Sequence, residues 1–149
     1  MPSTLVTPQA RTLLTVAATA TTATSAALDL GVADSYCLVF NVTTASGTSP
    51  VLDIVVQTSP DGGTTYVNMP LRTAQKTATG VSWILFQGCL GRGEAASETG
   101  LISNTGGTLA KNCVFDPHHV KIVYTIGGTN PSFAFTVYLF AQPRTAGGY

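Results

Sequence analysis

An all-β fold, one antiparallel β-sandwich of jelly-roll type, is what this sequence predicts, and three observations predict it. Apolar residues recur at every second position in four segments, the period of a half-buried strand. Gly, Pro, Asn and Ser cluster between those segments, where short turns need residues that tolerate unusual backbone angles. The length of 149 residues fits one domain with a real core, and no Pro-rich or charge-rich linker divides it. The expected organisation is a single domain over 1–149, with an N-terminal arm at 1–11, a long loop at 88–112 and a C-terminal tail at 143–149.

The alternation is cleanest at Tyr36-Leu38-Phe40-Val42, Leu52-Ile54-Val56, Val120-Ile122-Tyr124-Ile126 and Phe133-Phe135-Val137-Leu139. Residues 45–50 join the first two segments and residues 127–131 the last two, so each pair reads as a β-hairpin. The two units also resemble each other: Gly47-Thr48-Ser49-Pro50 opens one strand and Gly128-Thr129-Asn130-Pro131 another. Two copies are too few for a solenoid or propeller. Weaker strands are expected at 13–18, 26–30, 64–69, 81–87 and 109–115. The Ala- and Thr-rich run 17–27 reads as strand or extended arm, because β-branched Thr disfavours helix. Residues 88–112 form the one long irregular stretch and hold both Glu residues, Glu94 and Glu98. Loops of that length are usually functional or disordered, and this one reads either as a contact loop or as plain surface slack.

Charged residues make up 9% of the chain, seven basic against seven acidic, where an ordinary soluble domain has about 25%. Thr, Ser, Ala and Gly must cover the surface instead. Without a basic excess there is no electrostatic footprint for DNA or RNA, and no nucleic-acid partner is expected. Charge depletion is a property of interface cores, which points to life inside an assembly. Residues 12–28 are uncharged but include seven Ser or Thr, too polar for a membrane span. The start, Met1-Pro2-Ser3-Thr4-Leu5, lacks the basic and apolar regions of a secretion signal. Cys37, Cys89 and Cys113 are odd in number and show no CxxC spacing, so free thiols formed in a reducing cytoplasm are expected.

Chemistry finds little support. His118 and His119 follow Asp116-Pro117, and adjacent strand positions point to opposite faces, so the pair is read as a turn entering a strand rather than a metal site. No nucleophile elbow, cysteine-protease signature, P-loop or dinucleotide fingerprint occurs. Of the carboxylates, Asp53 falls on a non-core face and Asp61 in a turn, and no catalytic pair stands out. The expectation is no catalytic residue, no metal and no cofactor. One local motif is specific: Ser59-Pro60-Asp61-Gly62-Gly63-Thr64-Thr65-Tyr66 resembles an Asp-box, a hairpin turn in which the aspartate accepts backbone N–H groups. Sialidases carry several such boxes, but this chain is too short for their propeller.

Three passages resemble small structural proteins of tailed-bacteriophage particles: Ser25-Ala26-Ala27-Leu28-Asp29-Leu30-Gly31, the first strand pair through the Asp-box-like turn, and the run from Lys121 through Gly127-Gly128-Thr129-Asn130-Pro131 to Phe133. Together they cover about half the chain. The resemblance is to head decoration, or cement, proteins, with related modules at tails and as head fibres. It implies a non-enzymatic protein on the virion capsid surface, made in the host cytoplasm. Its partners would be the major capsid protein and itself, as a homo-oligomer with a trimer favoured over a dimer. A carbohydrate-binding module is the alternative, with Trp83, Tyr66, Tyr36 or Tyr138 stacking on sugars, although Trp83 within Val81-Ser82-Trp83-Ile84-Leu85-Phe86 reads as core packing.

Overall fold

A computed structural model of the chain describes residues 9–33, 35–87, 107–111 and 116–142. Two very long strands organise it, β3 (Ser35–Thr58) and β7 (Val120–Gln142). They pair antiparallel from Ser35↔Gln142 to Thr58↔Val120. Around them stand β1 (Gln9–Thr19), β2 (Ala23–Thr24), β4 (Val67–Arg72), β5 (Gly80–Gln87) and β6 (Gly107–Lys111). The strand order is β1-β7-β3-β5-β6, with β2 added to the far half of β7 and β4 to the far half of β3. All pairings are antiparallel except β6, which joins β5 in parallel. The all-β, antiparallel expectation holds, but these strands form one open sheet rather than a sandwich of two sheets.

The two expected hairpins are not formed. Residues 45–50 and 127–131 lie inside β3 and β7 and pair with each other, Thr48 opposite Thr129. Gly47 (φ 111°) and Ser49 (φ 49°) on one strand answer Gly128 (φ 113°) and Asn130 (φ 48°) on the other. Register shifts flank them, so the ribbon bulges and bends there. The bend is sharp. Tyr124 and Phe135 are eleven positions apart, about 36 Å along a straight strand, yet their ring centroids lie 5.2 Å apart, edge to face. The ribbon therefore doubles over at its middle and presses its two halves together. Gly, Ser-Pro and Asn-Pro do reverse the chain, as their turn chemistry requires, but the reversed halves meet through side chains and not through backbone hydrogen bonds.

Between the halves lies the core. Tyr36, Leu38, Phe40 and Val42 face Leu52, Ile54 and Val56 within one cluster, joined by Val120, Ile122, Phe133, Phe135, Val137 and Leu139. Three of the four alternating segments thus bury every residue their period marks, whereas in the third Val120 and Ile122 are buried and Tyr124 and Ile126 are only partly buried against the cluster. The other expectations fare unevenly. The strand at 13–18 is found as β1, whose start at Gln9 takes residues 9–11 out of the proposed arm. Residues 26–30 hold only a single bridge, Leu28 to Val120. Thr64 and Thr65 belong to a turn, so the next strand begins at Val67. Strand β6 starts at Gly107, inside the expected long loop. The remainder of that loop, residues 112–115, the tail 143–149, Cys89 and Cys113 lie outside the described residues.

Candidate functional site

The densest polar constellation gathers where β3 ends and β7 begins. Three turns meet there: residues 59–66 leaving β3, residues 116–119 entering β7, and residues 28–31. Their backbones are tied together, Ser59 N–H to His119 O at 3.1 Å and Leu30 N–H to Pro117 O at 2.7 Å. The Thr58 hydroxyl accepts from the Asp116 N–H at 3.0 Å.

The first turn is built as its resemblance to an Asp-box implies. Ser59, buried, donates its hydroxyl to Asp61 Oδ1 at 2.8 Å and accepts the Gly63 N–H at 2.7 Å. Asp61 Oδ1 also accepts the N–H groups of Thr64 at 3.1 Å and Thr65 at 2.7 Å. These donors, Thr65 foremost, favour the ionised carboxylate and pull its pKa down to about 2. Gly62 and Gly63 take positive φ, 70° and 102°. At Gly63 a side chain would also strike the His119 ring, whose Cδ2 lies 2.8 Å from where a Cβ would stand. Beyond the turn, the Lys121 ammonium sits 3.8 Å from the centre of the Tyr66 ring, a cation–π contact.

His118 and His119 precede β7 and diverge. His118 Nδ1 is 2.9 Å from Asp29 Oδ1, and His119 Nδ1 is 2.6 Å from Asp116 Oδ2. An ionised carboxylate only accepts, so each Nδ1 carries the proton. Asp29 is also held by the Gly31 N–H at 2.7 Å, which, ahead of His118, lowers its pKa. The Asp116 pKa is lowered by the His119 hydrogen bond first and the His118 N–H second. The two rings therefore serve separate carboxylates and do not converge. Among the described residues, no three His, Cys, Asp or Glu side chains are grouped to hold a metal ion. Of the two buried hydroxyls described in this corner, that of Ser59 is directed at Asp61 and that of Thr58 at the Asp116 backbone, neither at an imidazole. The arrangement is that of a structural knot locking three turns.

The four aromatic residues considered for sugar stacking separate. Tyr36 is buried, its hydroxyl donating to Gly31 O at 2.6 Å and accepting from the Ala33 N–H at 2.9 Å. Tyr66 lies under Lys121. Trp83 stands on the outward face of β5, between buried Ser82 and Ile84, which corrects its reading as core packing. Tyr138 shares that face. Asp53 is on the non-core face as expected, where Gln75 donates to its carboxylate at 3.1 and 3.3 Å. Cys37 is a free thiol, half buried, with a pKa raised by that burial. Comparisons with protein-family models, with curated proteins and with solved structures find no match to this chain.

Proposed function

We propose that this chain is a non-enzymatic structural protein of a tailed-phage particle, a decoration protein that binds the outer capsid as a homo-oligomer and ties neighbouring major capsid subunits together. The observation that carries the reading is the low charge content, 9% with no net charge, of a chain whose sheet leaves much of its surface to neutral side chains. Such a surface suits a protein that spends its life in contact with copies of its surroundings. The resemblance of the strand pairs and the Asp-box-like turn to phage cement proteins supports the same placement, and the polar corner, whose groups are consumed in holding turns, supports a non-catalytic role. Sandwich-like packing of the kind expected from sequence would here come from one sheet doubled over.

Quantitative mass spectrometry of purified virions tests the proposal. A decoration protein is present in many copies that scale with the major capsid protein, and it returns to capsids stripped of it. A few copies per particle would assign the chain to a tail or head fibre, and none would refute the proposal. Residues 2–8 and 91–106, which lie outside the described strands, are the segments to delete in order to map the capsid contact. A glycan titration of Trp83→Ala and wild-type protein separates the carbohydrate-binding alternative.

A further inference from the structure

The two halves of the doubled ribbon present different outward faces. In the far half, register places Asp53 opposite Thr125 and Gln57 beside Lys121 and Asn68, with one apolar pair, Val55 and Val123, in the row between them, the mainly polar exterior an antiparallel sheet normally shows to water. The near half does not. There Phe140, Cys37 and Leu85 form one cross-strand row, and Tyr138, Val39 and Trp83 the next. Directly opposed residues point to the same side, and none of the six is buried. Phe140 is 41% exposed, and Val81, in the row beyond, 54%. Their neighbours on this face are Ala, Thr, Ser, Asn and Gln. Arg11 pairs with Leu139, a core residue, and so projects to the other side. On β1, β7, β3 and β5 no Asp, Glu, Lys or Arg stands on this face among the described residues; the register of β6 with Gln87 adds one lysine, Lys111, at the edge beyond β5.

We infer that this face of β1, β7, β3 and β5 is a self-association surface, on which a second copy of the chain seats its own identical face about a two-fold axis. An isologous contact sets each side chain near its own copy, so a charged face would repel itself while this uncharged one does not. A partner of opposite charge would have nothing here to recognise. Size sets the strength: four strands about 4.8 Å apart and about seven residues long cover roughly 450 Å² in projection, below the roughly 800 Å² per partner of a standard interface. The contact is therefore reversible in solution and gains from the high local concentration of an ordered assembly. The inference deepens the homo-oligomer of the proposed function and specifies a face and a two-fold geometry for it.

The test needs no capsid. Sedimentation velocity on the full chain from about 1 µM to several hundred µM, a range set by the small area, should show the 15.4 kDa monomer passing to twice that mass. Val81→Lys and Phe140→Lys, both at exposed positions, should raise the dissociation constant at least about tenfold with unchanged far-ultraviolet circular dichroism. In a Cys89→Ser/Cys113→Ser chain, Cys37 reports on the same face. Its alkylation by iodoacetamide should slow several-fold over the same concentration range, a readout that does not depend on the lysine variants folding. A monomer at every concentration, as when another part of the chain covers the face, would overturn the inference. So would a dimer indifferent to both lysines with Cys37 labelling at a constant rate. Capsid binding by the monomeric variants then tests the decoration reading separately.

Discussion

Ser59 and Asp61 show how much a turn can depend on two side chains. Ser59 is buried and spans Asp61 and Gly63, so Ser59→Ala should cost about 1–2 kcal/mol, read from urea denaturation midpoints. Asp61 responds to pH. Its folded pKa of about 2 lies below the ordinary 3.8, so its contribution to stability is complete above the unfolded value and is lost as pH falls through about 2. Melting temperatures of wild type and Asp61→Asn should differ most above about pH 5 and converge toward about pH 2. A gap that stays constant over that range would show that the carboxylate charge plays no part. Ser82 offers the opposite case. Its hydroxyl is fully buried without a hydrogen-bond partner among the described residues, as is that of Thr73. Removing an unpaired buried hydroxyl recovers its desolvation cost, so Ser82→Ala should leave stability unchanged or raise it by up to about 1 kcal/mol. A loss of 2 kcal/mol or more, on the same scale, would mean that the hydroxyl has a partner.

At the scale of elements, the decisive feature is the crossing of the two Gly-Thr-x-Pro segments. The sequence repeat becomes a local two-fold relation in space: a Cβ on Gly47 would stand 2.6 Å from Asn130 O, and one on Gly128 2.6 Å from Ser49 O. Each glycine packs against the other segment's positive-φ residue, and each needs its own positive φ. Gly47→Ala and Gly128→Ala should therefore each destabilise by about 2 kcal/mol or more, and by nearly equal amounts. Chemical denaturation of the two variants checks both the size and the equality. One tolerated substitution beside one damaging one would break the symmetry argument. Gly63→Ala should be milder, because the atom it meets belongs to the His119 side chain, which can turn aside.

For the whole molecule, the pairing of β3 with β7 governs folding. Its nearest partners, Thr58 and Val120, are 62 positions apart (58 to 120), and its farthest, Ser35 and Gln142, are 107 apart (35 to 142). Loop closure must precede any reward from such contacts, so refolding by stopped-flow fluorescence of Trp83 should take milliseconds to seconds rather than microseconds. Core truncation acts on both halves at once: Phe133, fully buried beside the bend, should cost about 3–5 kcal/mol when changed to Ala. The outward face has the reverse expectation, since its residues contribute to association more than to the fold.

What the sequence determined by itself is local. Period two marked every inward residue from Tyr36 to Val42 and from Phe133 to Leu139, because alternation is a property of the strand alone. The Ser-Pro-Asp-Gly turn was legible for the same reason, its donors and acceptors lying within five residues of Asp61. His118 and His119 do separate, but from a turn ahead of β7 and onto partners, Asp29 and Asp116, that the sequence did not mark, and not through the strand alternation expected of them. Pairing belonged to the tertiary structure. Gly-Thr-Ser-Pro reverses the chain equally well in a hairpin or in a folded ribbon, and the choice is made by a second Gly-Thr-Asn-Pro segment 81 positions away (47 to 128), beyond the reach of local turn chemistry. The outward face was hidden likewise: Trp83 sits in an unbroken apolar run, where only the register with Val39 decides which side of the sheet its ring occupies.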